Sequence, residues 1–164
     1  MPLHRLHLAL ALAATLAACG QKPEPVEANA AAAVEAPPSS PAAADWSSLG
    51  ALVGKLPVDS GLFDTSAAAG EFRSLLGPRL ATLKTNLQTS SPLREEGGVI
   101  FSSGNKAHEG GINQAYVIVD PARKAVEVGL WENRRLTVYR TAGADLPKPQ
   151  DIEVMVRNAA EAPA

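Results

Sequence analysis

Cysteine and histidine are nearly missing from this sequence. Cys19 is the only cysteine, and His4, His7 and His108 are the only histidines among 164 residues. One cysteine excludes an internal disulfide. A metal centre needs three or four converging ligands. Beyond the leader the chain offers one histidine and one cysteine, so neither a metal site nor a metal cofactor is expected. Catalytic signatures are absent as well. There is no G-x-S-x-G elbow, and residues 104–111 lack the G-K-[ST] ending and following helix of a phosphate loop. His108-Glu109 lacks the second histidine four positions on that a zinc-protease helix carries. Glu95 and Glu96 are adjacent, so on a strand they would face opposite ways; they read as solvated turn residues rather than a glycosidase pair. No catalytic residue, no enzyme and no cofactor are expected. No charge of one sign dominates either: from Asp45 onward there are 13 basic and 14 acidic residues. Nucleic acid, which calls for a clustered basic stripe, is excluded as a partner. No repeat of solenoid spacing occurs.

What is present begins with an address. His4, Arg5 and His7 precede an apolar run over residues 8–18 that is too short to span a bilayer, and Cys19 follows. Leu16-Ala17-Ala18-Cys19 has the pattern of a bacterial lipoprotein box. The expectation is a lipoprotein signal peptide over residues 1–18, with Cys19 acylated, palmitate among its chains, as the mature N-terminus. Two or more acyl chains hold a protein stably at a membrane surface without a transmembrane helix. Gly20, in place of an aspartate, points by resemblance to the outer membrane, on its periplasmic face. Residues 19–44 form the tether. Beyond Cys19 they are mostly Ala, Pro, Glu and Ser, with Val26 and Val34 as the only larger apolar groups. Such a stretch buries too little surface to offset the entropy of ordering, and its prolines extend it. Its 24 residues after Gly20 reach on the order of 70 Å when stretched, at about 3 Å each.

Residues 45–164 are enough for one core. Their first half reads helical. Trp46, Leu49, Leu52 and Val53 fall at helical intervals. A second helix carries Phe72, Leu75 and Leu76, with Asp64 or Ser66 as its cap. Gly77-Pro78 breaks the chain and restarts it into a helix bearing Leu80, Leu83 and Leu87. The second half reads as strands: residues 98–103, 115–120, 125–131 and 136–140, joined by short turns that force antiparallel neighbours. Residues 147–158 read as a closing helix with Ile152, Met155 and Val156 inward, or else as a strand. The expected class is α+β, an antiparallel sheet of four to five strands with helices packed on one face.

Between two of those strands lies residues 104–113, G-N-K-A-H-E-G-G-I-N. Lys106, His108 and Glu109 put a cation, a switchable imidazole and a carboxylate within four positions, and Gly104, Gly110 and Gly111 permit a tight projecting turn. The order of features from about residue 62 to 138 resembles the inhibitor of vertebrate lysozyme (Ivy) family. The likeness includes a Leu-Phe-Asp opening, a Leu-rich second helix, and Ser91-Pro92 entering the sheet. The family's loop reads Cys-Lys-Pro-His-Asp-Cys-Gly-x-Asn-Gln; Lys106, His108, Glu109, Gly111, Asn113 and Gln114 keep its spacing here. The resemblance implies a periplasmic domain that plugs the cleft of a lysozyme-like muramidase. His108 would lie between the enzyme's carboxylates and Lys106 and Glu109 would make flanking contacts. The target would be a host lysozyme or a rival bacterium's hydrolase, the latter making this an immunity protein. Both family cysteines are replaced, by Asn105 and Gly110, and its proline by Ala107. Losing that disulfide and proline should cost affinity through the entropy of ordering the loop, so the expectation is either a different target or a lysine-to-glutamate segment held by hydrogen bonds from Asn105 and Asn113. The alternative is a structural or assembly lipoprotein of an envelope complex, with the loop incidental.

Overall fold

The computed structural model describes residues 45–161, all of which fall in one compact unit. The leader, Cys19 and the tether lie outside the described residues. The chain enters through a 3₁₀ helix, Trp46–Leu52, whose first turn is capped by Asp45 accepting from Ser47 N at 2.9 Å. Helices α1 (Ala69–Leu76) and α2 (Arg79–Asn86) follow, separated by Gly77-Pro78 as the sequence implied. Neither Asp64 nor Ser66 caps α1, whose N-cap is Ala68 with no side-chain hydrogen bond; Ser66 Oγ accepts from Ala68 N at 3.2 Å in the turn before it, and Asp64 pairs with Lys84 of α2 at 2.6 Å.

Six antiparallel strands come next: β1 (Thr89–Ser90), β2 (Arg94–Glu96), β3 (Val99–Asn105), β4 (Gln114–Asp120), β5 (Ala125–Glu132) and β6 (Arg135–Arg140). The meander β3-β4-β5-β6 is the sheet proper, while the short β1 and β2 both pair with the outer edge of β3. Those two explain why the count of six exceeds the expected four to five. They are too short, and too polar, for alternation to announce them. Glu95 and Glu96 lie on β2 and are exposed. Helix α3 (Gln150–Glu161) closes the domain. Its Ile152, Met155, Val156 and Ala159 recur at helical spacing, so the helical alternative for this segment is the one realised.

The α+β class and the antiparallel sheet are borne out. The expectation of helices on one face is corrected, because the sheet is covered on both. On one face the 3₁₀ helix, α1 and α2 bury Ile100, Val117, Val119, Val126, Val128 and Leu130. On the other, α3 and the segment before it bury Phe101, Tyr116, Ile118 and Trp131. Successive residues of a strand point to opposite faces, so burial of both makes β4 apolar nearly throughout. Residues 115–119 are all buried.

The register places the loop. Gly104 opposes Ala115 and Asn105 opposes Gln114, so β3 and β4 remain paired up to the loop's base. Gly104 and Asn105 therefore belong to the strand, and the loop proper is residues 106–113. A two-residue turn, Asn133 and Arg134, joins β5 to β6 at the same end of the sheet, with Glu132 paired to Arg135 across it.

Candidate functional site

The loop is built as a closed circuit of hydrogen bonds. Lys106 N donates to Asn113 O at 2.9 Å, extending the strand ladder by one rung. Glu109 N donates to Lys106 O at 3.0 Å, and Ile112 N and Asn113 N both donate to Glu109 O at 3.1 Å. Asn105 Nδ2 donates to Lys106 O at 2.7 Å. The side chains close a second ring. Lys106 Nζ lies 2.5 Å from Glu109 Oε1, and Asn113 Nδ2 donates to the other Glu109 oxygen. Those contacts hold the Glu109 carboxyl below its ordinary value, the Lys106 bond first and the Asn113 bond second. Glu109 is thus an ionised brace within the loop across the neutral range.

The glycines divide by role. Gly111 has φ of 80°, the left-handed region where a side chain is strained. Gly104 is needed for a different reason: a Cβ there would lie 2.5 Å from Thr89 O and 2.7 Å from Ser90 Cβ, so β1 could not approach. A Cβ at Gly110 would meet Asn105 Cγ at 3.9 Å, an ordinary contact. Asn105 and Gly110 are the positions at which the family's loop carries its cysteines, and here they are neighbours across the loop.

His108 stands at the tip, exposed, with φ of 63°. A non-glycine residue in the left-handed region is disfavoured by about 1 kcal/mol or more, although histidine is among the residues enriched there. The hydrogen bonds on either side hold it in that conformation. Lys106 and Glu109 flank it but compensate each other, so the imidazole is the polar group of the tip left facing solvent.

The loop leans on two further elements, a turn that the sequence placed and a buried asparagine that it did not announce. Asn133 N donates to Asn113 Oδ1 at 2.9 Å, and Arg134 N donates to Ile112 O at 2.8 Å, fixing the loop to the β5–β6 turn. Asn86, buried at the end of α2, donates through Nδ2 to Trp131 O at 2.8 Å and Gln114 O at 3.3 Å. It joins the bases of both hairpins from behind. A two-residue Asn-x turn between alternating strands is a hairpin signal; a helical asparagine that proves buried leaves none. Beside the loop, Thr82, Thr85 and Asn86 of α2 face Lys106, Asn113 and Asn133 across a polar recess of about 380 Å³. Among the described residues no group of three or more His, Cys, Asp or Glu stands together to hold a metal, and no helix is long and apolar enough to cross a membrane.

The model of one family, described as inhibitor of vertebrate lysozyme (Ivy), matches residues 67–162, which is more than half of the chain and includes the whole loop. Searches of curated proteins and of solved structures returned no match.

Proposed function

The chain belongs to the inhibitor of vertebrate lysozyme family, and from that premise we propose that its domain inhibits a lysozyme-like peptidoglycan hydrolase by inserting loop 106–113 into the enzyme's cleft. The observation that carries this reading is the contrast within the loop: Lys106, Glu109 and Asn113 are bound to one another, while His108 is held out at the tip. Glycoside hydrolases of this kind work with two carboxyl groups about 5–10 Å apart, one giving a proton and the other acting as nucleophile or base. An imidazole can donate a hydrogen bond to a carboxylate and, when protonated, bond two through both nitrogens. His108 placed between them occupies the position of the scissile bond and engages both catalytic groups. Lys106 and Glu109 flank the entry, and Gly104, Asn105, Gly110, Gly111 and Asn113 shape and support the loop.

Preorganisation is what such an insertion needs, because ordering a loop on binding subtracts from affinity. The hydrogen-bonded circuit supplies it where the family's loop has a disulfide. The proposed setting agrees with the chemistry. Acylation at Cys19 and a tether of residues 19–44 would place the domain at the periplasmic face of the outer membrane, where a peptidoglycan hydrolase must act. There the inhibitor guards the wall against a host lysozyme or, as an immunity protein, against a rival's hydrolase.

The test is inhibition by the domain from Asp45 onward of a vertebrate lysozyme and of a bacterial muramidase, with His108→Ala alongside. Loss of inhibition in the variant supports the insertion. Equal inhibition by the variant rejects it, and no inhibition by the unaltered domain rejects the function.

A further inference from the structure

The turn that braces the loop carries something bracing does not require. Asn133 and Arg134 both have positive φ, 52° and 67°, the signature of a two-residue hairpin turn of type I′. Asparagine suits the first position; the second favours glycine, because a Cβ there is strained. Arginine at that place is disfavoured by its Cβ. The brace uses only its backbone N–H, on Ile112 O, and glycine would supply that equally well. What the strained residue adds is its side chain.

That side chain belongs to an exposed residue, beside a concavity of about 250 Å³ formed with Trp131, Leu136, Val156, Ala159 and Ala160. The other charges of this end are matched. Lys106 is paired with Glu109, and Arg79 of α2 with Glu132. Among the described residues, Arg134 and its neighbour Arg135 are the charges around the loop that form no ion pair, in a domain with one more acidic residue than basic.

We infer that Arg134 is a second contact of the inhibitory surface, its guanidinium pairing with a carboxylate on the rim of the target's cleft while His108 enters. This rests on the function proposed above. A hydrolase that works through paired carboxyl groups presents an acidic cleft, and a planar guanidinium binds a carboxylate in a two-bonded fork that an ammonium cannot reproduce. The two hydrogen bonds between turn and loop fix where Arg134 stands relative to His108, so both arrive together. Uncompensated positive charge at the contacting end also raises the rate of encounter with an acidic cleft. The competing role for Arg134 is to cover the concavity beside Trp131 with its aliphatic stem, a role that does not need the charge.

Arg134→Gln keeps most of the stem and removes the charge, whereas Arg134→Gly relieves the strain and removes both. Inhibition and association rate are measured for the mature protein at low and physiological salt, against a vertebrate lysozyme and a bacterial muramidase, with thermal melting and His108→Ala in parallel. Arg134→Gln is expected to raise Ki about fivefold to tenfold, as for loss of one interfacial charge pair, and to flatten the salt dependence of association, with Tm unchanged. Arg134→Gly is expected to lose the same inhibition with an equal or higher Tm. Unaltered Ki in Arg134→Gln, beside lost inhibition in His108→Ala, overturns this inference and leaves the function standing. A fall in Tm that accompanies the loss of inhibition in both variants assigns Arg134 to covering the concavity and overturns it too. A wild type that inhibits neither enzyme removes the function, and the inference with it.

Discussion

Two carboxylates in this domain each bind a lysine and at least one further polar group, and they do opposite things. Glu109 lies in the loop, bonded to Lys106 three residues before it and Asn113 four residues after. Glu127 lies on the α3 face of the sheet with no exposed surface. Its Oε1 accepts from the Tyr116 hydroxyl at 2.7 Å and lies 3.1 Å from Lys148 Nζ, while Arg140 of β6 stands 3.6 Å from Oε2. Burial, and then the bond to Glu127, raise the Tyr116 phenol's pKa, so it remains a donor. Glu109 organises the eight residues of loop 106–113 for display. Glu127 joins β4, β6 and the segment leading into α3 inside a core. The same chemistry orders a local loop where water competes and locks distant elements where it does not.

The largest effect belongs to the buried cluster. Glu127→Ala leaves the Tyr116 hydroxyl and Lys148 without their partner and should destabilise the domain by about 3–5 kcal/mol in denaturant unfolding. Gly129→Ala should do comparable damage, because its Cβ would lie 2.0 Å from Cε1 of Tyr116, a residue with no exposed surface into which its ring could shift. His108→Ala should come next in consequence but leave stability within about 0.5 kcal/mol, while weakening inhibition at least about thirtyfold, as for a central anchor. Glu109→Gln should weaken inhibition severalfold and speed amide exchange at Ile112 and Asn113, whose N–H groups bond Glu109 O.

Acid should act on the loop in the same sense as that last substitution. The folded-state pKa of Glu109 is depressed below its ordinary 4.5. Its bracing is therefore complete above pH 4.5 and is lost only as pH falls through the lower folded value. Carboxyl shifts of Glu109 followed by NMR through that window would show a midpoint below 4.5; a midpoint at or above it would contradict the ion-pair brace. The smallest effect concerns preorganisation. Asn105→Cys with Gly110→Cys places two thiols where a Cβ already has ordinary contact distance. The disulfide should form on oxidation and lower Ki only modestly, because hydrogen bonds already order the loop. A large gain would mean that the loop of the unaltered protein is poorly held.

How far the sequence announced these two clusters follows from their range. Everything about Glu109 is local, so residues 104–113 carried the loop, its glycines and the likeness to a lysozyme-inhibitor loop. Glu127 depends on Tyr116, Arg140 and Lys148, brought to it by strand register and by the turn before α3. Residues 125–131 alternate, with Val126, Val128 and Leu130 on one face and Glu127 on the other, which by pattern alone reads as the solvent face. The covering of that face by α3 is a long-range event, and it is also why helices were expected on one side only. Arg134 was legible as a turn residue, but its bond to Ile112 joins residues 22 positions apart and needed the folded sheet.

The central claim is that His108 acts by entering a hydrolase cleft. Its most direct test is a competition measurement: binding of a soluble oligosaccharide substrate analogue to the target muramidase, with and without this protein. The account predicts mutually exclusive binding that His108→Ala abolishes. Simultaneous binding of inhibitor and oligosaccharide, or exclusion that survives His108→Ala, would contradict it.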